Sequence, residues 1–236
     1  MPNFIPLTLA HGLSIGCVDG DPLTSLSFWK NDGICLPPDS NHFGFVYEGN
    51  TTLRWKNISM NLASGMFFSI PGEGFVGGNS SGMIVSKKNY STIFTIGGPL
   101  ENSGRLMYID GCTDSLLIPP VLLGDPCFNA LYFPPGIFQT QHTHPSVRVG
   151  MVVSGRGECV VPEGRIPLIP GDAFIIPTNG LHSFETEDSP LVVVAYHPDS
   201  DYGPTHENHP MINRTIVNGV SASLIDNIRT KELVFA

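Results

Sequence analysis

The chain has few charged residues and no long apolar run, and each shortage excludes a class of partner. Charged residues make up 14% of the 236, the formal net charge is -9, and lysine and arginine form no cluster longer than the pair Lys87 and Lys88. Such a composition does not attract phosphate backbones or anionic lipids. No stretch approaches the roughly 18 consecutive apolar residues of a membrane span. We therefore expect neither nucleic acid nor a membrane as a partner.

Cysteine is also scarce. The five cysteines are widely separated and never form a C-x-x-C pair. An odd number at such spacing indicates neither a disulfide framework nor a thiolate zinc site. The first residues, MPNFIPLTLAHG, lack the basic start and apolar run of a signal peptide. These features favour a reducing compartment, and the cytoplasm is the expected location.

Glycine and proline, by contrast, are abundant, with 26 and 21 residues. They bound short apolar stretches such as residues 150–154, 173–176 and 191–196, a pattern typical of strands joined by turns. The pattern predicts an all-β fold in which helix is scarce. Only residues 221–235, SASLIDNIRTKELVF, have a spacing compatible with a short amphipathic helix.

An internal repeat organises the chain. FGFVYEG at residues 43–49 aligns with VGMVVSG at 149–155, and GMFFSIPGEG at 65–74 aligns with GDAFIIPTNG at 171–180. Both alignments are gapless and share one offset of 106 residues. The chain is therefore predicted to duplicate one β unit.

Three histidines of the second unit form a candidate metal site. His142 and His144 are separated by one residue, and on a β-strand such side chains lie on the same face. His182 would come from the strand that pairs alongside. Three neutral imidazoles with open coordination positions suit Fe(II), Mn, Ni, Cu or Zn, and the spacing does not rank these metals.

The segments around these histidines resemble the two motifs of the cupin superfamily. GIFQTQHTHPSVRVGMVVSG matches the first motif, G-x5-H-x-H-x3/4-E-x6-G, and GDAFIIPTNGLHSFET matches most of the second. With the repeat, the resemblance implies a double-stranded β-helix, the cupin jelly roll, duplicated as a two-barrel protein or bicupin. The glutamate position of the first motif holds Arg148, and the terminal asparagine position of the second holds Thr186.

The resemblance also implies a division of labour between the two barrels. Residues 1–105 would form a degenerate barrel, because the offset places Leu36, Pro38 and Val76 where the second unit has its histidines. Residues 106–236 would form the metal-binding barrel and the C-terminal tail. Cupins commonly dimerise through sheet edges, so a homodimer is compatible with this reading.

A site of three histidines without the glutamate is similar to that of several cupin dioxygenases, including the bicupin enzymes that cleave gentisate and salicylate. That group has an arginine on the same strand, two residues beyond the position of Arg148. At the glutamate position, Arg148 could point into the barrel and bind a substrate carboxylate through two hydrogen bonds.

Other residues of the second repeat and of the tail are further candidates. His197 follows the strand LVVVAY and shares a face with Val193 and Ala195, so it is a candidate for proton transfer or substrate binding. Period-two spacing places Gln139 and Gln141 on the face opposite His142. The segment THENHP contains His206, Glu207 and His209 but lacks a regular geometry that would bring them together. We expect the aromatic residues Phe133, Phe138, Phe174 and Phe184 to lie in the core.

These observations support three hypotheses on function. The first is a dioxygenase that uses Fe(II) at His142, His144 and His182, with Arg148 and His197 as catalytic residues and a small acidic molecule as substrate. The second is an oxygen-independent metal-dependent isomerase, epimerase or lyase. The third is a barrel that binds a small molecule without converting it.

Overall fold

A computed structural model describes residues 2–9, 12–200 and 209–228. Residues 1–200 form one compact body and residues 201–236 a second one. The strands of the first hundred residues are β1 Ile5–Leu7, β2 Ser14–Ile15, β3 Thr24–Lys30, β4 Gly33–Leu36, β5 Ser40–Trp55, β6 Ile58–Ala63, β7 Phe67–Pro71, β8 Gly74–Gly77, β9 Ser80–Lys88 and β10 Thr95–Gly97. Those of the second hundred are β11 Leu106–Met107, β12 Thr113–Ile118, β13 Cys127–Phe133, β14 Arg148–Gly155, β15 Gly157–Val161, β16 Gly164–Leu168, β17 Ala173–Ile176, β18 Ser183–Glu185 and β19 Leu191–His197.

The strands form two large sheets and a smaller one. One sheet has the order β10-β7-β5-β9-β3-β2, with β4, β6 and β8 attached to it through β5 and β8. The other has the order β1-β17-β14-β19-β13-β12-β11, and β16, β15 and β18 form a three-stranded sheet beside it. Among the described residues of the first body, a 3-10 turn at Ile109–Gly111 is the only helical element. The prediction of an all-β fold is confirmed.

The pairing register repeats at the offset of 106 residues. Arg148 pairs with Ile176 between β14 and β17, and His42 pairs with Ile70 between β5 and β7. The register of β14 against β19 shifts after Val152, and that of β5 against β9 shifts at the equivalent place after Val46. The predicted internal repeat is therefore present in the strand pairing as well as in the sequence.

Two equivalent glycines, Gly44 on β5 and Gly150 on β14, each lie under an aromatic ring of the neighbouring strand. A Cβ atom on Gly44 would come within 2.0 Å of the Phe68 ring, and one on Gly150 within 2.2 Å of the Phe174 ring. Glycine is therefore needed at both positions for the aromatic ring to cross the neighbouring strand.

An additional short strand lies at one edge of each large sheet. β1 precedes the first repeat but pairs with β17, and β10 precedes the second repeat but pairs with β7. The N-terminal strand thus belongs to the sheet of the second half. The domain boundary predicted at residue 105 stays a prediction.

The core follows the alternation of side chains along the strands. On β5 and β14, Phe43, Phe45, Val149 and Met151 point to a core shared by the two large sheets, in which Phe43 contacts Tyr196 with ring centroids 5.2 Å apart. The residues between them point to the opposite face of each sheet, where two separate clusters lie. His42 and Arg148 are therefore interior residues of their units.

The described part of the second body, residues 209–228, holds little regular structure. It contains α1 Pro210–Arg214, the strand pair β20 Ile216–Val217 and β21 Val220–Ser221, and 3-10 turns at Ala222–Leu224 and Asp226–Ile228. The amphipathic helix predicted for residues 221–235 is wrong for its described part, where two short turns interrupt any helical face. Residues 229–235 lie outside the described residues. No helix of the described chain is long and apolar enough to cross a membrane.

Candidate metal centre

The three histidines of the second repeat unit, which lies within residues 1–200, converge. The backbones of His142 and His182 exchange two hydrogen bonds, with N···O distances of 2.9 and 3.0 Å. The ring centroids lie 4.6 Å apart for His142 and His182, 5.0 Å for His142 and His144, and 5.2 Å for His144 and His182. Each ring offers a nitrogen within 4.8 Å of the others, a group that could hold one metal ion.

The way in which the histidines converge differs from the prediction in one respect. The segment that carries His142 and His144 is not a regular strand, because only an isolated bridge joins His142 to His182. The pairing of His182 beside His142 is confirmed, while the regular strand predicted for the H-x-H segment is wrong.

Two of the rings are oriented by backbone carbonyls two residues earlier. The Nδ1 atom of His142 donates to the carbonyl oxygen of Thr140 at 2.8 Å, and Nδ1 of His182 donates to that of Gly180 at 2.9 Å. A carbonyl oxygen only accepts, so both Nδ1 atoms carry the proton and Nε2 is left as the metal-binding atom. Such outer hydrogen bonds fix the tautomer of a metal-binding histidine.

Burial keeps two of the candidate ligands, His144 and His182, uncharged. It lowers the pKa of His144 from 6.5 to about 3, with further lowering by Arg148 and the other two histidines. It lowers the pKa of His182 to about 4, although the bond to Gly180 acts in the opposite direction. Neutral imidazoles are the form that binds metal, so these two rings need not release a proton at neutral pH.

Arg148, the first residue of β14, lies on the wall of the same cavity. Its Nη1 atom donates to the carbonyl oxygens of Ser146 and Val147 at 3.0 and 3.1 Å, and to Ser146 Oγ at 2.6 Å. Its Nε atom is buried and has no partner among the described residues. Burial lowers the arginine pKa, while Asp199 raises it. A guanidinium stays charged in proteins, so the cavity holds a fixed cation with an unused donor.

His197 lies on the same wall. It ends β19 opposite Cys127, and burial, then Arg148 and His144, lower its pKa well below the usual 6.5. The ring is therefore neutral at neutral pH. The catalytic roles assigned to Arg148 and His197 stay predictions.

The cavity is small, with about 40 Å³ of free space. It is lined by Tyr108, Leu131, Phe133, Gln139, His142, His144, Arg148, Phe174, Ile176, His182, Phe184, Val193, Ala195 and His197. Tyr108 was not expected, because it comes from an irregular segment whose sequence gives no periodic signal. Gln139 was expected on the opposite face, and that prediction is wrong because the chain before His142 is not a regular strand.

Two further predictions have mixed outcomes. Phe133, Phe174 and Phe184 are buried as expected, but Phe138 is 70% exposed. His206 and Glu207 of the THENHP segment lie outside the described residues. His209 caps α1, with Nδ1 accepting from the backbone nitrogens of Met211 and Ile212.

The described residues of the first repeat unit form no comparable centre. Strand pairing sets Leu36 opposite Gly74, as His142 lies opposite His182, so the gapless alignment of Val76 with His182 is wrong by two residues. The loop before His182 is two residues longer than its counterpart. Among the described residues, only the histidines of the second unit form a three-ligand group.

Comparisons with known proteins agree with this geometry. Residues 131–197, which include the three histidines, match the family model of the cupin domain. No curated protein matches the chain in sequence.

Solved structures share the fold. A cupin 2 conserved barrel domain protein from Leptotrichia buccalis aligns with a TM-score of 0.56 at 16% identity, over 82% of this chain and 88% of that one. Protein Ylba from E. coli aligns with a TM-score of 0.60 at 18% identity, over 86% and 93%. Salicylate 1,2-dioxygenase from Pseudaminobacter salicylatoxidans aligns with a TM-score of 0.57 at 12% identity, over 74% and 70%. The likeness shows the cupin jelly-roll fold, as the sequence predicted.

Proposed function

We propose that this chain is a metal-dependent cupin enzyme that oxidises a small organic acid with dioxygen, using Fe(II) held by His142, His144 and His182. The observation that carries the proposal is the combination of three converging imidazoles with an arginine in one cavity. A carboxylate at the position of Arg148 would have filled a further metal position and added negative charge. Arginine leaves that position open and adds a site for an anion.

Each side chain has a distinct task in this proposal. When bound, Fe(II) supplies the chemistry that activates dioxygen. The three imidazoles would hold the ion, and burial keeps His144 and His182 neutral. Arg148 binds the carboxylate of the substrate, since its Nε atom is a buried donor without a partner. The aromatic wall of Phe133, Phe174 and Phe184 excludes water around the acid.

The small cavity supports a small substrate. About 40 Å³ is far below the several hundred Å³ typical of drug-sized ligands. The fold likeness to salicylate 1,2-dioxygenase is compatible with an acidic substrate, and the arginine here is this chain's own reason to propose one.

The test is oxygen consumption after anaerobic loading with Fe(II), with a panel of small aromatic acids, thiol acids and diketones. We expect oxygen uptake that needs both Fe(II) and one acid class, and that is lost in His144→Ala. Arg156→Met is the matched control, because Arg156 is exposed and lies outside the cavity of the three histidines. A wild-type chain that binds no metal after loading contradicts the proposal.

A second candidate function is an oxygen-independent metal-dependent isomerase, epimerase or lyase. It is favoured by the position of His197, whose ring shares the cavity and would lie near a bound acid as a candidate for proton transfer. Substrate conversion at an unchanged rate without oxygen would select this function. Tight binding of the acid without conversion, unaffected by a chelator, would select the non-catalytic binding barrel.

We also propose a two-barrel architecture, residues 1–105 and 106–236, in a cytoplasmic homodimer. The repeated strand register supports the two barrels, and five free cysteines support a reducing compartment. The edge strand β11, whose Met107 is 96% exposed, supports association through a sheet edge. Light scattering during size exclusion tests the dimer.

A further inference from the structure

The loop that carries His182 is held by a side chain from the N-terminal end of the chain. Asn3 Oδ1 accepts a hydrogen bond from the backbone nitrogen of Leu181 at 2.8 Å. Asn3 Nδ2 in turn donates to the carboxylate of Glu163 at 2.9 and 3.1 Å. The asparagine is therefore fixed at both ends of its amide.

The peptide group that Asn3 contacts is the one that orients His182. The nitrogen of Leu181 and the carbonyl oxygen of Gly180 belong to one planar trans peptide, so they point in opposite directions. One side of this peptide donates to Asn3, and the other accepts from Nδ1 of His182 at 2.9 Å. A hydrogen bond to the amide also polarises the carbonyl and makes it a better acceptor.

Packing supports the same connection. The Asn3 carbonyl oxygen lies 2.6 Å from where a Cβ atom of Gly180 would be, so the two backbones touch closely. Phe4 stacks on Phe174 with ring centroids 5.3 Å apart, and Phe174 contacts Phe184 at 5.6 Å. The N-terminal segment thus reaches the cavity through both hydrogen bonds and aromatic contacts.

The other oriented ligand is supported from nearby in sequence. His142 donates to the carbonyl oxygen of Thr140, and the Thr140 nitrogen donates to Asp110 Oδ2 at 2.7 Å. That contact spans 30 residues, whereas the contact of Asn3 with Leu181 spans 178. Of these two contacts, the one that supports His182 comes from outside residues 106–236.

We propose that Asn3 is a positioning residue of the metal centre. Through the peptide between Gly180 and Leu181, it holds His182 with the proton on Nδ1 and with Nε2 directed to the metal. This inference rests on the proposed metal site and adds that residues 106–236 alone do not hold that site in order.

The test compares Asn3→Ala with Glu163→Gln and with the double variant Asn3→Asp/Glu163→Gln. Glu163→Gln keeps an acceptor for Asn3 and serves as the control. The double variant exchanges amide and carboxylate, so it keeps an acceptor for Leu181 and a bond between positions 3 and 163. Long-range 1H–15N spectra of the metal-free protein report the tautomer of His182, and titration with Co(II) reports affinity.

We expect Asn3→Ala to convert His182 to a mixture of tautomers and to weaken Co(II) binding by about tenfold, as loss of an outer hydrogen bond does. The control and the double variant should stay close to wild type in both measurements. A purely structural role would instead lower the melting temperature of the metal-free protein and leave the tautomer and the affinity unchanged. That result overturns the inference.

Failure of the inference and failure of the proposed function give different results. If wild type binds no metal but Asn3→Ala still changes the tautomer, Asn3 positions His182 and the metalloenzyme proposal is wrong. If wild type binds metal and Asn3→Ala matches it in tautomer and affinity, the positioning role is wrong and the metal site stands.

Discussion

At equivalent positions of β5 and β14 the chain places His42 and Arg148, and their surroundings differ. His42 is fully buried, and its ring nitrogens contact Ser86 Oγ at 2.7 Å and the Pro37 carbonyl oxygen at 3.0 Å. Arg148 faces a cavity and keeps one buried donor without a partner. The same backbone therefore supports a closed interior in one unit and an unsatisfied one in the other, and buried groups without partners point to a functional site.

The ligand positions differ in the same way. The first unit sets Leu36 against Gly74, where the second sets His142 against His182. Two extra residues precede His182, and this longer loop contains the peptide that contacts both Asn3 and His182. The additional length gives the second unit the means to orient a ligand.

The largest expected effect separates the two units by metal binding. His144→Ala removes one of three ligands, so we expect affinity for Fe(II) or Co(II) to fall by more than about 100-fold, the upper range seen for loss of outer contacts alone. Metal analysis after gel filtration and Co(II) titration measure it. His42→Ala is the matched variant in the first unit and should bind metal like wild type. Equal affinity of His144→Ala and wild type would contradict the assignment.

The next effect concerns the acid. Arg148→Met removes the cation from the cavity and should lower kcat/KM for the oxidised acid by about 100-fold, in line with loss of a buried charged hydrogen bond. Metal content should stay at the wild-type level. Steady-state oxygen uptake measures the change, with Arg156→Met as control. Unchanged kcat/KM for an acid in Arg148→Met would remove the role of this arginine.

Sequence predicted the parts of the molecule that follow regular rules. Alternating apolar residues and turn-forming glycines gave the strands, and the constant offset gave the paired β5 and β14. The regular strand predicted for the H-x-H segment is wrong, because an irregular chain brings His142 and His144 together without the alternation of a strand. That is also why Gln139 was placed on the wrong face.

Local sequence patterns do not predict contacts between segments that are distant in sequence. Nothing local marks Asn3 or Tyr108, because their roles depend on which strand closes the sheet edge and where an irregular turn lies. Phe138 was assigned to the core by residue type, although it is 70% exposed. Residue type predicts burial on average, while the position in the chain path decides the single case.

A smaller effect tests the closed interior of the first unit. His42→Ala leaves Ser86 Oγ and the Pro37 carbonyl oxygen without the ring, and we expect the free energy of unfolding to fall by about 2 kcal/mol. Urea denaturation of the metal-free protein measures the change. The acid kcat/KM of the folded variant should match wild type. A loss of activity larger than the loss of stability would assign the first unit a direct part in the reaction.

The smallest effect is a slope with pH. The pKa values of His144 and His182 fall from 6.5 to about 3 and about 4 in the folded, metal-free protein. Between these values and 6.5 the unfolded chain binds more protons, so acid favours unfolding. Above pH 6.5 these two histidines do not change the free energy of unfolding. As the pH falls from 6.5 towards the folded pKa values, they lower it progressively.

Each of these two histidines contributes up to about 1.4 kcal/mol per pH unit to this slope. We expect the free energy of unfolding of the metal-free protein to drop between pH 6.5 and 4, and His144→Gln to make the drop shallower by one histidine. Urea denaturation with a chelator present, at several pH values, measures both slopes. Equal slopes for wild type and His144→Gln would mean that His144 is protonated alike in the folded and unfolded chain. Its neutral, metal-binding form would then have no support from burial.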